Sequence, residues 1–329
     1  MYVPELYAMA LFLMIYSMLC WGSWINIHRL CKRWRFELFY WDYVWGILLS
    51  SLLIGVTLGR TDPTSADSFF RNLGAASTGC LAYAVTSGII WNLANILIVA
   101  AMYVAGMAVA FPIGIGLGLV IGSVLNYILK PVGNPLLLFG GIGLVCVAVG
   151  LVGAAYRKHV RDLVISTKGI VLSVAGGIFM GLFYPLIVKA TTGEGHLGPY
   201  TVAFVFAVGA VLGNFPFNYA LMRWPVMGER IQMSDYFAGR GIAHFWGVVS
   251  GLAWQAGTTA NFAAAYANLV GPAASYAIGL GSGIVGTSWG VFVWREFRGA
   301  GSAVVRYLAL MFVFFILGLV CIALAPVVR

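Results

Sequence analysis

The sequence predicts an all-α membrane protein of about ten transmembrane helices, arranged as two inverted five-helix repeats. Three observations predict it. Hydrophobic residues fill 61% of 329 positions and charged residues only 9%, against roughly a quarter charged in soluble domains. The apolar positions run in blocks of about 20 residues, the length that crosses a hydrocarbon core, without the ten-residue alternation of a membrane strand. The chain also matches itself when shifted by 163 residues. A soluble fold could not bury so much apolar surface with so few charges left outside.

The first span covers 4–26. It lacks a basic leading segment and a small-residue cleavage site, so it reads as a retained helix. Further spans fall at 41–59, 76–101, 104–128 and 135–155, then at 169–190, 199–221, 241–264, 269–293 and 303–326. The longest external connection, Thr61 to Gly74, is polar and turn-rich (Thr61, Asp62, Pro63, Thr64, Ser65). Tyr156 to Lys168 joins the fifth and sixth spans. The chain therefore divides into a first repeat at 1–156, a cytoplasmic linker at 157–168 and a second repeat at 169–329. Cys20, Cys31, Cys80, Cys146 and Cys321 form no C-x-x-C and read as reduced, structural thiols.

The net charge of +9 sits between apolar spans, so it signals topology and not nucleic-acid binding. Arg29, Lys32, Arg33, Arg35, Arg157, Lys158, Arg161, Lys168, Arg223, Arg230, Arg240, Arg295, Arg298 and Arg306 fall on one side. Arg60, Arg71, Lys130, Lys189 and Arg329 fall on the other. The positive-inside rule places the larger group in the cytoplasm and both termini outside. The expected location is the cell (inner or plasma) membrane.

At the offset of 163, Ser87-Gly88 falls on Ser250-Gly251, Trp91 on Trp254, Asn92 on Gln255, Ala100-Ala101 on Ala263-Ala264, and Tyr103 on Tyr266. Ile115-Gly116-Leu117-Gly118 falls on Ile278-Gly279-Leu280-Gly281, and Trp21 on Tyr184. A unit of five helices is odd, so the second copy enters the membrane inverted. Inverted repeats favour a carrier that binds solute near the midplane and opens to either side in turn; a channel is the competing reading.

Mid-membrane polar groups are the site candidates. Trp91, Asn92 and Asn95 pair with Trp254 and Gln255. A carboxamide both donates and accepts, and an indole offers a flat apolar face. Together they suit a small neutral solute with a flat or ring shape; the plainer role for the carboxamides is interhelical bonding. Trp21, in Trp21-Gly22-Ser23-Trp24, has Tyr184-Pro185 as its mate, and Pro185 is placed to break its helix. The glycine-rich stretches Pro112–Gly122 and Gly271–Gly286 allow close packing and bending, and the second carries Ser275 and Tyr276. Asn214 and Asn218 share a face if their helix survives Pro216. Asp42 and Glu5 are the candidates for coupling or gating, near opposite ends of their spans, and each also reads as an interfacial anchor. Proton coupling, sodium coupling and facilitated diffusion all stay open, and no cofactor is implied.

Other signals fail. Gly281 to Ser288 has P-loop spacing without a lysine. His28, His159, His196 and His244 lack ligand spacing. No embedded acid pair, metal cluster or nucleophile–base pair points to an enzyme.

Ten helices in a five-plus-five repeat resemble the drug/metabolite transporter superfamily. Several motifs are similar to those of ureide permeases: Met1-Tyr2-Val3, Trp21-Gly22-Ser23-Trp24, Tyr40-Trp41-Asp42-Tyr43, Leu125-Asn126-Tyr127, Trp289-Gly290-Val291 and Trp294-Arg295-Glu296-Phe297-Arg298. The resemblance covers most of the chain. It implies carriage of allantoin, uracil and related oxo-heterocycles, proton-linked in plants; the neighbouring bacterial glucose/rhamnose porters carry sugars. Asp42 matches the family's Y-x-D-Y. The short central linker departs from the long plant loop and implies a bacterial member. The expected function is a secondary transporter for a small neutral polar solute, a sugar or a ureide- or nucleobase-like heterocycle, working by alternating access in the uptake direction. An exporter of amphipathic compounds is the alternative. Its partners are the solute and the lipid bilayer, not nucleic acid, and it works as a monomer or homodimer.

Overall fold

The computed structural model describes residues 1–31, 34–61, 64–159 and 166–328. Lys32, Arg33, Asp62, Pro63, Arg161 and Arg329 lie outside the described residues, as does the middle of the 157–168 linker. The described residues are helical, with no strand among them. The long elements are α1 (Tyr7–His28), α2 (Phe36–Thr57), α3 (Thr78–Ala105), α4 (Met107–Leu129), α5 (Pro135–His159), α6 (Thr167–Ala190), α7 (Pro199–Arg223), α8 (Gly241–Tyr266), α9 (Pro272–Val293) and α10 (Ser302–Leu324). All but α8 are apolar enough along their length to cross a membrane. α8 has the length, but Trp246, Trp254, Gln255 and Asn261 dilute its apolar character. This is a multi-pass membrane protein.

Local chemistry starts these helices. Ser77 accepts a hydrogen bond from the Cys80 amide, 3.2 Å away, at the start of α3. Proline opens α7 and α9, where its missing N–H costs nothing. α2 begins at Phe36, earlier than the expected 41. Glu37 can enter the first turn because Arg35 neutralises it at 2.5 Å and the helix N-terminus favours an acid.

One expectation about helix continuity changes and one open condition is met. α6 runs unbroken through Pro185, and α7 through Pro216. Each proline removes one helical N–H, and the buried neighbours hold the helix together. The break falls instead in α9. Pro272–Leu280 gives way at Gly281 and Ser282 to a second helical stretch, Gly283–Ser288, and then to a π-turn at Trp289–Val293. Glycine clusters and π-turns are the usual sites of such kinks. Two short helices outside the spans, Phe69–Ala75 and Met233–Phe237, carry no sequence signal strong enough to expect.

The packing partners exchange in a regular way. α1 lies on α8, and α6 on α3. α2 lies on α8, and α7 on α3; α4 lies on α6, and α9 on α1. α2 meets α7, α4 meets α9 and α5 meets α10. Two crossings need glycine. Gly46 of α2 is pressed against Gly251 of α8, and Gly88 of α3 against Gly209 of α7; a Cβ at Gly251 would strike the Tyr43 carbonyl oxygen, and one at Gly88 the Phe206 carbonyl oxygen. Between helices in lipid, such close backbone contact supplies the van der Waals attraction that a hydrophobic force cannot. The outer surface of α10 exposes Val313, Ile316, Leu317 and Val320, as a lipid-facing stripe must.

Each end of the bundle has its own ties. At the basic face, Glu296 pairs with Arg29, accepts from the Tyr156 hydroxyl at 2.5 Å, and offers its carbonyl to His159 at 2.9 Å. At the opposite face, Asn72 bonds the Gly198 amide and the His196 carbonyl at 2.8 and 3.0 Å, and Lys130 bonds Asn268. The five cysteines are free thiols.

Candidate functional site

An aromatic cluster fills the centre of the bundle. Trp91, midway along α3, and Trp254, midway along α8, lie with ring centroids 4.2 Å apart. Trp21 of α1 also stacks on Trp254, at 5.8 Å and 13°. Tyr43 of α2 and Phe206 of α7 flank the indole pair, each within 6.4 Å of both. Tyr43 and Phe206 are themselves 163 residues apart, as are Trp91 and Trp254. Trp91 and Trp254 are 2% and 4% exposed, so the site is closed over by its own rings in this conformation.

The carboxamides border this cluster. Asn92 and Asn95 both donate to the Tyr40 hydroxyl, at 3.4 and 3.1 Å. Gln255 donates to the Ala203 carbonyl at 3.2 Å. Tyr40 and Ala203 are also 163 apart, so Asn92 and Gln255 reach to matching positions. A backbone carbonyl can only accept, which fixes the Gln255 nitrogen toward Ala203 and turns its oxygen elsewhere. That oxygen, Oε1, is buried with no hydrogen-bond partner, as is Oδ1 of Asn92. Tyr43 Oη and Asn214 Oδ1 are buried and unpartnered too. Unmet buried acceptors are costly, of the order of 1–3 kcal/mol each.

A second polar group lies toward the opposite face. Tyr184 donates to Asn261 Oδ1 at 2.7 Å; Asn261 donates to the Ser275 carbonyl at 3.0 Å, and the Ser275 hydroxyl returns a bond to Asn261. Tyr276 is not beside them as a free hydroxyl: it bonds the Gly118 and Met180 carbonyls at 2.9 and 2.8 Å, tying α9 to α4 and α6. Trp21 donates to Thr258 at 2.9 Å.

Two cavities flank the closed centre. One, of about 510 Å³ at the basic face, is lined by His28, Trp34, Glu37 and Tyr103. The other, of about 420 Å³ at the opposite face, is lined by Thr191, Tyr266, Tyr184 and Phe262. His28 and Thr191 are 163 apart, and so are Tyr103 and Tyr266. Lys130 lines the second cavity, and partial burial lowers its proton affinity.

The structure thus brings Trp21, Trp91, Asn92, Asn95, Trp254 and Gln255 around one centre. Tyr184 and Ser275 join through Asn261. Asn214 is buried on α7, while Glu5 is exposed ahead of α1. Asp42 is no surface anchor: it is 3% exposed and lies in α2 near the basic face, where Tyr236 donates to it at 2.6 Å and His244 Nδ1 sits 3.0 Å from both its oxygens. Burial and this acceptor raise the Tyr236 hydroxyl's affinity for its proton. Burial, with Asp42 nearby, pushes the Cys31 thiol up to about 11. Sequence reasoning missed Tyr40, Tyr43, Phe206, Asn261, Tyr236 and His244. Tyr40 and Tyr43 were visible in the Tyr40-Trp41-Asp42-Tyr43 motif, and Tyr43 with Phe206 as an aromatic pair at the repeat offset; the others carry no local signal.

Comparison with known proteins fits this architecture. The sequence model of the ureide permease family matches residues 39–168. Ureide permease 1 of Arabidopsis thaliana is 25% identical, over 96% of this chain and 96% of its own length. Ureide permease 4 of the same plant is 23% identical with the same coverage. A solved structure, titled only as the crystal structure of a protein, aligns over 97% of this chain and 98% of its own with a TM-score of 0.61 at 13% identity, a likeness of fold. The chain resembles ureide permeases along nearly its whole length, and these relatives are transporters, not enzymes.

Proposed function

We propose that this chain carries a small, neutral, flat solute, a ureide or a nucleobase-like heterocycle, across the cell membrane by alternating access in the uptake direction. The observation that carries the reading is the central pair, Trp91 on Trp254, bordered by Asn92 and Gln255 with unpartnered oxygens. A ring sliding between the indoles gains stacking contact. Its N–H groups supply the donors those oxygens lack, and the surrounding aromatics exclude water. A solute with N–H groups fits two free acceptors better than a sugar, whose hydroxyls need donors as well as acceptors. Trp21, Asn95, Tyr184, Asn214, Ser275 and Tyr276 complete the walls or position them.

The two halves, 1–156 and 169–329, act as inverted repeats, with both termini outside. Exchanged helix partners, matched glycine crossings (Gly46 with Gly251, Gly209 with Gly88) and matched cavities at either end support this reading. A pseudo-two-fold axis between Trp91 and Trp254 lets the same motion open either cavity to the centre.

Counterflow in proteoliposomes tests it. Labelled allantoin is expected to exchange saturably, with Asn92→Ala and Gln255→Ala abolishing exchange while both variants insert and stay monodisperse. Counterflow of glucose but not of allantoin or uracil would replace the ureide reading with the sugar one. Unimpaired exchange by both variants would remove the central site.

A further inference from the structure

One acid–imidazole pair at the basic-face end has no counterpart at the repeat offset. Asp42 and His244 join α2 to α8 near the basic face. The residues 163 positions away, Val205 and Leu81, occupy the corresponding places on α7 and α3 and are apolar. The acid–imidazole pair is therefore an addition to the repeated scaffold. Asp42 is pressed in place, since a Cβ at Gly247 would fall against its side chain. Its carboxylate gathers three elements: α2 itself, α8 through His244, and the short helix Met233–Phe237 through Tyr236. His244 in turn packs edge-on to Trp34 and Tyr236, at 5.2 and 4.8 Å.

Proton access is built in. The Asp42 side chain is 5% exposed and that of His244 26%. His244 Nε2 lies against Gly239, at the edge of a cavity of about 610 Å³ lined by Cys31, Trp34 and Arg240. We infer that Asp42 and His244 form a proton-binding latch that holds the basic-face end of the bundle closed. Charge-assisted bonds to an ionised carboxylate are about twice as strong as neutral ones. With Asp42 ionised, Tyr236 and His244 both donate to it and the three elements stay together. A proton taken from bulk water by His244 Nε2, with the Nδ1 proton passed to Asp42, leaves a neutral acid whose own O–H donates to Nδ1 and which keeps one donor, Tyr236; both charge-assisted bonds are lost and the latch loosens. One proton is bound and no bond between heavy atoms changes. Among the described residues, the other ionisable groups near the pair are Cys31 and Arg240 from the adjoining loops; Glu37, on α2 as well, is held by Arg35. α7 presents uncharged Asn218 and Met222 to this end of α2.

Cys31 reports the latch without any solute, so the test is independent of what is transported. It is 7% exposed, and its thiol rests on the Ala243 carbonyl beside His244. With the other four cysteines replaced by serine, N-ethylmaleimide labelling of Cys31 is followed against pH in the otherwise native chain and in Asp42→Asn. Because Asp42→Asn also removes a charge that raises the thiol, each rate is first divided by the thiolate fraction titrated for Cys31 in the same variant, and the ratio is taken of these corrected rates. The ratio is expected to be about tenfold or more at neutral and alkaline pH, and to fall toward one in acid as the native latch opens. Tyr236→Phe removes a donor that favours the ionised acid, so the native-like fall should move to higher pH. A ratio near one throughout, or a large ratio with no pH dependence, overturns the inference. If Asp42→Asn does not fold, the direction of the Tyr236→Phe shift decides alone: no shift, or a shift to lower pH, overturns it.

Discussion

Trp91 and Trp254 stand 163 residues apart in the chain and 4.2 Å apart in space, each the other's counterpart in the repeat. The aromatic cluster around them draws on α1, α2, α3, α7 and α8, so neither the segment 1–156 nor the segment 169–329 makes it alone. Trp254→Ala is expected to cost about 3–5 kcal/mol, the usual range for emptying a buried aromatic position, and to abolish solute exchange. Trp254→Phe keeps a ring and should fold while binding more weakly. Thermal unfolding in detergent, read beside equilibrium binding of labelled allantoin, separates the two effects.

The glycine crossings make a sharper structural prediction. Gly88→Ala places a methyl on the Phe206 carbonyl and should lower stability by about 1–3 kcal/mol, as overpacking does. Gly116→Ala meets nothing within 4 Å and should be neutral or stabilising by up to about 1 kcal/mol, because alanine favours the helix. Melting temperatures of the two variants in the same detergent should move in opposite directions or differ clearly in size.

Tyr184 spends its hydroxyl on Asn261, which also receives Ser275. Tyr184→Phe should therefore cost only about 1 kcal/mol, since Asn261 keeps one donor. Asn261→Ala removes the hub and leaves the Tyr184 hydroxyl buried without a partner, so its loss in thermal stability should be larger. Equal losses would show that the hub does not organise this region.

Orientation is testable from outside the cell. In a cysteine-free background, Glu194→Cys should react with a membrane-impermeant maleimide on intact cells, and Arg230→Cys only after lysis. The reverse pattern would invert the topology expected from the basic residues.

The membrane class and the places of the ten helices were legible in the sequence because a hydrocarbon core imposes one length and one composition on anything that crosses it. The candidates Trp91, Asn92, Trp254 and Gln255 were legible because a duplicated sequence repeats them in register. Helix continuity was not: Pro185 and Pro216 sit in unbroken helices, while Gly281 and Ser282 break α9. Whether a helix bends depends on the neighbours that hold or release it, and those come from distant segments. Partners were hidden for the same reason. Asp42 read both as a coupling or gating candidate and as an interfacial anchor, and nothing local pointed to His244, its partner on α8 across 202 residues. Composition and periodicity are local properties, and from them the sequence by itself determined a helical membrane bundle with a repeated aromatic–carboxamide motif. Only the tertiary structure decided which oxygens go unpartnered, which glycines touch and which acid meets an imidazole, because each depends on two helices meeting at a distance no local pattern encodes.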